Sequence, residues 1–368
     1  MTDAEQLKYQ IALSLIPGIG CANAKRLMTS LGGIREIFAA SKKLLTQVPN
    51  IGAITAQKIL ESDVLERAEE EVRFIRKNEI QTAFYWDDHY PVRLKRCVDA
   101  PLVLYWKGAI NFKAEKIVSM VGTRKATGYG RDFCDSLVQE MAQRGGYTVV
   151  SGLAYGIDIA AHKACLKHGV PTIGVVAHGL EQVYPSMHRS VADKMLENGG
   201  LVTDFVSETV IDRTNFLRRN RIIAGLADAT IIVESAEKGG SLVTADIADS
   251  YNRDVFALPG RSSDSYSKGC NQLIKSNKAS MIENLYDLEY AMAWQQNIDK
   301  PSRIQKQLFV ELNAEEQRVV DTLNGQDMYI DQLSSQVNMP VGKLSSVLLG
   351  LEFKGLVASL PGKMYKLS

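Results

Sequence analysis

The middle of the chain, roughly residues 112–290, alternates between short apolar runs and helical patterns, and this alternation limits the fold more than any other feature. The apolar runs are rich in Val and Ile and lack polar alternation, as strands buried on both faces of a parallel sheet do. They cover residues 116–121, 148–151, 172–177, 201–205, 229–234 and 255–258. Strands that alternate with helices form βαβ units with right-handed crossovers. The predicted fold class is therefore α/β, a Rossmann-like, doubly wound, mostly parallel sheet, with its binding site at the carboxyl ends of the strands.

Two smaller segments flank the predicted sheet. The first contains two similar turns between helical patterns, at residues 16–20 (IPGIG) and 48–52 (VPNIG), which resemble a tandem helix-hairpin-helix module. After a polar linker at residues 297–302, the last segment shows three short helical patterns and a hairpin, which is the winged-helix arrangement. We expect three domains: a helical, helix-hairpin-helix-like (SAM-like) domain at 1–80, a Rossmann-like domain at 81–297 with its core at 112–290, and a winged-helix-like domain at 308–368.

A connecting stretch lies between the first segment and the core of the sheet. Two of its runs, residues 84–86 and 102–106, have the aromatic and aliphatic composition of short strands. We expect this stretch to pack on the domain that follows it.

Composition excludes several classes of protein. The 368 residues carry 43 Lys and Arg against 42 Asp and Glu, so a globally basic nucleic-acid coat is excluded, whereas a local basic groove is not. No apolar run is long enough for a bilayer span and the N-terminus lacks an apolar signal core, which predicts a cytoplasmic protein with no membrane partner. The five cysteines and five histidines are scattered, so we expect reduced thiols, no metal site and no cofactor.

Small, hydroxyl and basic residues follow several of the predicted strands. Free amides at the start of a helix bind anions, and Lys or Arg adds positive charge there. The residues that this pattern places at the strand ends are Gly122, Thr123, Arg124, Gly152, Gly156, Lys238, Gly240 and Ser241. The sequence after the first strand is not the dinucleotide Gly-x-Gly-x-x-Gly pattern, and no P-loop or nucleophile-elbow motif occurs.

The most basic stretch holds four arginines within residues 213–221, just before an apolar helical run. Successive cations with interleaved aromatic rings form a track for a single nucleic-acid strand. Tyr155, Tyr184 and Phe216 are the candidate stacking residues, although the sequence is equally compatible with a core position for each of them.

Six motifs occur in an order that resembles the DNA-processing protein A (DprA/Smf) family. They are residues 121–124 (VGTR), 151–162 (SGLAYGIDIAAH), 216–226 (FLRRNRIIAGL), 240–245 (GSLVTA), 258–260 (LPG) and 269–274 (GCNQLI). The resemblance implies a non-enzymatic protein that binds and protects single-stranded DNA in natural transformation and homologous recombination. It also implies homodimers, loading of the RecA recombinase and an interaction with the single-strand-binding protein.

Site residues are carried over from this resemblance position by position. Arg124 is implied as the foremost phosphate ligand, and Arg218, Asn220 and Arg221 follow it. Gly240 and Ser241 would supply amides and a hydroxyl, while Gly152 and Gly156 would shape a loop. The chain departs from the family at Ser186 and Asp246, where relatives often carry a cation.

Two further hypotheses remain open at the level of sequence. A Rossmann-like nucleotide-handling hydrolase could use Asp158 and His162, although Asp158 also fits a helix cap. Alternatively, the end segments could bind duplex DNA. Residues 300–368 carry eight Lys and Arg against seven Asp and Glu, and this near-neutrality favours a protein contact, dimer support or a structural role for the winged helix.

Overall fold

The structure is a computed structural model that describes residues 3–61, 63–294, 312–360 and 362–367. The predicted linker at residues 297–302 and the predicted boundaries at 297 and 308 lie outside the described residues. We keep the three predicted segments as our proposal for the domains.

Six helices form the N-terminal module. The two turns predicted from the sequence have the same design, because Ile16 and Ile19 of the first and Val48 and Ile51 of the second are all buried. Gly18 and Asn50 occupy equivalent positions with positive φ, the backbone region that Gly and Asn adopt most easily. The helices are α1 (Asp3–Leu15), α2 (Cys21–Leu31), α3 (Ile34–Ala39), α4 (Lys42–Gln47), α5 (Ala53–Glu61) and α6 (Val64–Lys77).

The central sheet has nine strands in the order β1-β2-β6-β5-β4-β3-β7-β8-β9, and only the pairs β1–β2 and β2–β6 are antiparallel. Every residue of β3 and of β4 is buried, as expected for strands covered on both faces. The strands are β1 (Gln81–Phe84), β2 (Val103–Gly108), β3 (Lys116–Val121), β4 (Tyr147–Ser151), β5 (Thr172–Val175), β6 (Gly199–Thr203), β7 (Ala229–Ile232), β8 (Asp254–Ala257) and β9 (Ser280–Met281).

Helices cover both faces of this sheet, which confirms the doubly wound α/β prediction. They are α7 (Val92–Lys95), α8 (Gly128–Arg144), α9 (Ile157–His168), α10 (Arg189–Met195), α11 (Arg213–Leu226), α12 (Gly240–Ser250), α13 (Lys268–Lys275) and α14 (Leu285–Ala291). Leu137 of α8 and Ala161 of α9 belong to one hydrophobic core, and Ile222 of α11 and Ala245 of α12 to the other.

The chain changes direction across the sheet between β6 and β7. From β3 it steps outward through β4, β5 and β6, and α11 then returns it to β7 on the other side of β3. The carboxyl ends of β3 and β7 therefore flank a topological switch point, where open α/β sheets form their binding crevice. We call the edge at which the parallel strands end the carboxyl edge.

The N-terminal module packs directly on the central sheet. A single hydrophobic core contains Leu27 and Ala68 of the module together with Tyr105 of β2 and Leu201 of β6. Glu71 of α6 also reaches the loop after β6, where both of its carboxylate oxygens accept hydrogen bonds from the Ser207 amide at 3.0 Å.

The C-terminal segment is a winged helix with its own core, as predicted. Its helices are α15 (Ala314–Leu323), α16 (Ile330–Gln336) and α17 (Val341–Phe353), and its strands are β10 (Met328–Tyr329), β11 (Val357–Leu360) and β12 (Met364–Leu367). The hairpin β11–β12 binds β10 to form a three-stranded sheet.

Sequence patterns placed some strands imperfectly. The connecting stretch does not merely pack on the next domain, because β1 and β2 extend the same sheet as antiparallel strands. Three predicted strands extended two residues too far, to residues 177, 205 and 234, because the apolar residues in these extensions, Val176, Ala177, Phe205 and Val233, stay buried beyond the last ladder pair.

The cysteines among the described residues are unpaired, and four of the five are buried. Burial raises the pKa of Cys97 to about 11 and that of Cys165 to about 12, so these thiols stay protonated at neutral pH. Within the described residues no helix combines the length and the apolar character that a membrane span requires.

Candidate nucleic-acid interface

A cavity of about 620 Å³ opens at the carboxyl edge, at the switch point between β3 and β7. We call it the first cavity. Its walls are the loop after β3, the loop and helix start after β7, and one face of α11. Its charged lining consists of Arg124, Arg213 and Arg219 against Asp158 and Asp212. Its wall therefore carries one net positive charge, although the whole chain is nearly neutral.

Glycines let two loops meet beneath Arg124. A Cβ on Gly122 would lie 2.5 Å from the Ile157 side chain and 2.9 Å from the Glu234 carbonyl oxygen. Gly156 has a φ of +79°, and a Cβ there would lie 2.1 Å from the Thr123 carbonyl oxygen. Only glycine fits at these two positions. Gly122 and Gly156 therefore allow the close backbone packing that holds the 122–124 loop in place, and they provide no side-chain contacts.

Three of the helices that begin near the first cavity have their first amides satisfied by protein oxygens. Thr127 caps α8, and its amide and hydroxyl donate to the buried Glu234 carboxylate. Asp212 caps α11 by accepting from the Thr214 amide at 2.8 Å. At α9 the Ile157 amide donates to the Thr123 carbonyl oxygen at 3.1 Å.

Helix α12 is different, because its N-cap residue Gly239 provides no side-chain cap and, among the described residues, no protein oxygen accepts from the Gly240 or Ser241 amide. The first amides of an α-helix have no partner within the helix, and the helix dipole favours an anion beside them. Gly240 is exposed, and a Cβ added to it would meet no other part of the described chain within 4 Å, so an incoming group has access. Gly240 and Ser241 both line the first cavity, so this helix start is a position in the cavity that suits an anion.

Arg124 faces the same cavity together with two aromatic rings. Its guanidinium lies 5.5 Å from the centre of the Phe216 ring. The Tyr184 and Phe216 rings are 5.8 Å apart and tilted by 52°. Tyr155 instead packs edge-on against His188. Two of the three candidate stacking residues are thus brought to the cavity beside a cation, an arrangement that suits both a phosphate and a base.

Arg219 is a lining residue that the sequence-based site set does not contain. It is buried, and its Nη1 donates to the carbonyl oxygens of Gly152, at 2.6 Å, and Val175. Burial lowers the pKa of Arg219 to about 10, while the nearby Asp158 carboxylate opposes that shift and Arg124 adds to it. Burial also raises the pKa of Asp158. Arg219 therefore fixes the loop after β4 and adds positive charge to the cavity floor.

The structure brings together about half of the predicted site residues. The members that line the first cavity are Gly122, Thr123, Arg124, Asn220, Gly240 and Ser241. Gly152 and Gly156 support it from beneath, and a Cβ on Gly152 would lie 2.6 Å from Arg219 and Asp158. Lys238 is exposed in the turn before α12, outside the lining.

Arg218 and Arg221 face away from the first cavity. They line a second cavity, of about 550 Å³, between the N-terminal module and the other side of α11. Arg221 pairs with Asp204 and with the Asp99 carbonyl oxygen. Burial disfavours its charge, but the neighbouring Asp204 and Asp99 raise the pKa of Arg221 overall.

Helical spacing could have separated these two groups of arginines. Arg213, Phe216, Asn220 and Ile223 follow one another at intervals of three or four, and all four line the first cavity. Arg218 and Arg221 also lie three apart, but on another face. Arg213 and Arg219 were in the basic stretch noted above, and only the orientation of the helix distinguishes them from their neighbours.

The pair proposed for a hydrolase is not assembled as an acid–base pair. His162 Nδ1 is 2.8 Å from Thr172 Oγ1, and the imidazole is fully buried. Burial lowers the pKa of His162 to about 3. Asp158 does line the cavity, but its neighbours are Arg219 and the Ala154 amide rather than an imidazole. Among the described residues, no group of three or more His, Cys, Asp or Glu side chains could hold a metal ion.

Family models cover most of the chain. The one described as DNA recombination-mediator protein A matches residues 81–293, the DprA winged helix domain matches residues 306–363, and the SAM-like helix-hairpin-helix tandem matches residues 11–62. Protein Smf of Escherichia coli (strain K12) is 34% identical over 76% of this chain and 75% of that protein.

Two solved structures share this architecture. The X-ray structure of DNA processing protein A from Streptococcus pneumoniae superposes with a TM-score of 0.64 at 26% identity, over 79% of this chain and 98% of that chain. DNA processing protein A from Helicobacter pylori, solved to study its single-stranded-DNA binding mode, superposes with a TM-score of 0.53 at 28% identity, over 59% of this chain and 96% of that chain.

Proposed function

The chain belongs to the DNA recombination-mediator protein A (DprA/Smf) family, and from this premise we propose that it binds single-stranded DNA in the first cavity as a DNA-processing protein of natural transformation. The observation that carries the proposal is the open start of α12 opposite Arg124. Free amides and a guanidinium there suit a phosphate, and the adjacent Phe216 and Tyr184 rings suit a base. The related Helicobacter pylori protein, whose single-stranded-DNA binding mode has been studied, supports the same ligand.

The sugar–phosphate backbone is the part of the ligand that this site holds. Gly240, Ser241 and Arg124 bind phosphate oxygens, and Thr123 and Asn220 add polar contacts beside them. Lys238 attracts the strand from outside the cavity. The bases stack without sequence preference, because every base offers a flat face to an aromatic ring.

We further propose that the protein acts as a mediator rather than as an enzyme. Its family resemblance supports a cytoplasmic homodimer that loads the RecA recombinase onto the bound strand and meets the single-strand-binding protein there. The nearly neutral winged helix serves a protein contact in this scheme. The buried, neutral His162 supports the absence of hydrolytic chemistry at the cavity.

Fluorescence anisotropy with labelled oligo-dT and with a duplex of the same length, over a salt series, tests this proposal. We expect single strands to bind more tightly, with the logarithm of the affinity falling by about 0.7 per phosphate contact for each tenfold rise in salt. Arg124→Ala should lose roughly 1–3 kcal/mol of binding, the value of a charge-assisted hydrogen bond.

Arg144→Ala is the matched control, because Arg144 ends α8 at the side of the sheet opposite the cavity and is exposed. It should bind as the wild type does. Equal affinity of Arg124→Ala and Arg144→Ala for oligo-dT would contradict the site, and preferential binding of the duplex would support the end segments as the DNA-binding part.

A further inference from the structure

The second cavity has the volume to hold a nucleotide and lies at the same edge of the sheet as the first. It is bounded by the turn before α2 and the start of that helix, by the loop before β2, and by Asp204 and Phe205 just after β6. Because β2 runs antiparallel to β6 and Tyr105 of β2 pairs with Thr203, the last residue of β6, the start of β2 lies at the carboxyl edge. The exposed ridge of α11, with Leu217 and Arg218, separates the two cavities.

One side of the second cavity suits a phosphate. Helix α2 has 11 residues, its N-cap Gly20 offers no side-chain cap, and its first residues line the cavity. The Arg218 guanidinium lies opposite, 5.0 Å from the Phe205 ring centre, and the Arg218 side chain is 58% exposed. Its bond to Asp204 Oδ2 is long at 3.3 Å, and such half-exposed ion pairs are weak enough to exchange for a phosphate.

On the other side of the second cavity, the Asp204 carboxylate has an oxygen that lacks a hydrogen-bond donor within the described part of the chain. The Asp204 side chain is only 1% exposed, and among the described residues its Oδ1 has no hydrogen-bond partner. Arg218 and Arg221 both bind the other oxygen, Oδ2. A buried carboxylate oxygen without a donor is costly, and movement of Arg218 towards a phosphate would open this oxygen to the cavity.

We propose that the second cavity binds a nucleotide of the same DNA strand that occupies the first cavity, with its phosphate at the start of α2 and Arg218 and its base donating an N–H to Asp204 Oδ1. This inference rests on the proposed function of the first cavity. Each DNA base carries at least one N–H on its Watson–Crick edge, so the contact requires a base but does not select one. Apolar side chains from Leu102 and Val103 complete the wall.

The spacing of the strands fits one continuous ligand. Helix α11 crosses from β6 past β5 and β4 to β3, and neighbouring strands lie about 4.8 Å apart. The two cavities are therefore separated by about 14 Å along the edge, which an extended polynucleotide covers within a few nucleotides. Arg218, which the family resemblance implied as a phosphate ligand, then contacts the strand as it passes over α11.

Anisotropy with a short and a long oligo-dT, of about 2 and about 20 nucleotides, tests the second cavity, because only the long one can span both cavities. Ala22→Glu places a carboxylate at the proposed phosphate position, in the exposed first turn of α2, where an acidic residue favours the helix dipole. Ile54→Glu makes the same change in the first turn of α5, at an exposed position outside both cavities.

We expect Ala22→Glu to weaken binding of the long oligonucleotide about tenfold and to leave the short one unchanged, whereas Ile54→Glu changes neither. Equal behaviour of the two variants would overturn the inference. Arg124→Ala should weaken both lengths; if it weakens neither, the proposed function fails, and the comparison of Ala22→Glu with Ile54→Glu still reports on the second cavity by itself.

A chemical probe tests the role of Asp204. An oligonucleotide of N3-methylthymidine keeps every phosphate of oligo-dT but lacks the base N–H. We expect the wild type and Ile54→Glu to bind this oligonucleotide severalfold more weakly than they bind oligo-dT. We expect Ala22→Glu to bind the two oligonucleotides with equal affinity. Equal affinities for the wild type would overturn the base contact. Saturable binding of free thymidine monophosphate that Ala22→Glu abolishes would instead identify a free nucleotide as the ligand and overturn the continuous strand.

Discussion

Arg219 differs from its neighbours Arg218 and Arg221 in what its guanidinium contacts. Arg218 is exposed and Arg221 pairs with Asp204, whereas Arg219 binds two carbonyl oxygens beside the buried Asp158. Three arginines within four positions thus serve three environments, because successive helical residues point about 100° apart.

Replacement of Arg219 tests its structural role. Arg219→Met should lower the free energy of unfolding by about 3 kcal/mol, because it leaves two carbonyl oxygens without donors and Asp158 buried without its cation. Urea unfolding followed by circular dichroism measures the change. Arg218→Met, one position away and exposed, should have a much smaller effect, and an equal loss in the two variants would contradict this role.

The buried His162 predicts a dependence of stability on pH. Its folded pKa, about 3, is below the ordinary value of 6.5, so between these values the unfolded chain binds one proton more than the folded chain. Stability should therefore fall as the pH falls through this range, by about 1.4 kcal/mol per pH unit from this group.

The His162→Gln variant should have a shallower slope of unfolding free energy against pH between about 6 and 4, measured by urea titration. This comparison does not depend on the absolute stability of the variant, because it uses only the slope of the unfolding free energy against pH. His89→Gln serves as the control for the loss of an exposed imidazole. An unchanged slope in His162→Gln would show that the histidine does not titrate as proposed.

At the scale of the elements, the start of α12 is the part of the proposed site that a single substitution can block. The neighbouring helices α8 and α11 use Thr127 and Asp212 to satisfy their first amides, and α12 has no equivalent side chain. Of these three helices, α12 is thus the one whose first amides are open.

Gly240→Asp should therefore abolish most single-strand binding without harming the fold. The new carboxylate would occupy the anion position and would also stabilise the helix start. We expect at least a tenfold loss of affinity for oligo-dT, with a melting temperature equal to or above that of the wild type. Gly240→Ala, which fits without contacts, should bind normally. Binding by Gly240→Asp at wild-type strength would remove α12 from the site.

At the scale of the whole molecule, the N-terminal module and the sheet share one hydrophobic core and a buried polar contact. Glu71 accepts from the amide and hydroxyl of Ser207, and Arg67 Nη2 donates to Glu71 at 2.9 Å. This contact holds the loop that leads from β6 to α11, and α11 forms a wall of both cavities. The module is thus part of the structure that forms the cavities rather than an independent appendage.

Glu71→Ala should lower the free energy of unfolding by about 2–3 kcal/mol, because it leaves the buried Ser207 amide without its acceptor and removes the ion pair of Glu71 with Arg67. Chemical unfolding of the full chain measures it. Glu69→Ala, on the same helix but exposed, should change little, since surface ion pairs contribute weakly. A similarly small change in the free energy of unfolding for both substitutions would contradict a tight contact between the N-terminal module and the sheet.

The sequence by itself determined the fold class and the edge of the sheet at which the first cavity lies. Apolar runs without alternation require strands covered on both faces, and residues such as Gly122 and Gly156 mark where backbones must approach closely, which local patterns reveal. The winged helix was equally accessible, because its periodic helices and hairpin are local features. The order of the strands and the place of β1 and β2 in the same sheet could not be predicted from the sequence, because strand pairing joins residues far apart in the chain.

Only the tertiary structure decided which side chains meet. The rotation of α11 on the sheet sends Arg219 into the first cavity and Arg218 and Arg221 towards the N-terminal module, and that rotation depends on the packing of Ile222 and Ile223 against other elements. The tertiary structure also leaves Asp204 Oδ1 without a donor among the described residues. Helical periodicity gives the relative directions of side chains on one helix, but the direction of the whole helix is set by contacts that no local pattern encodes.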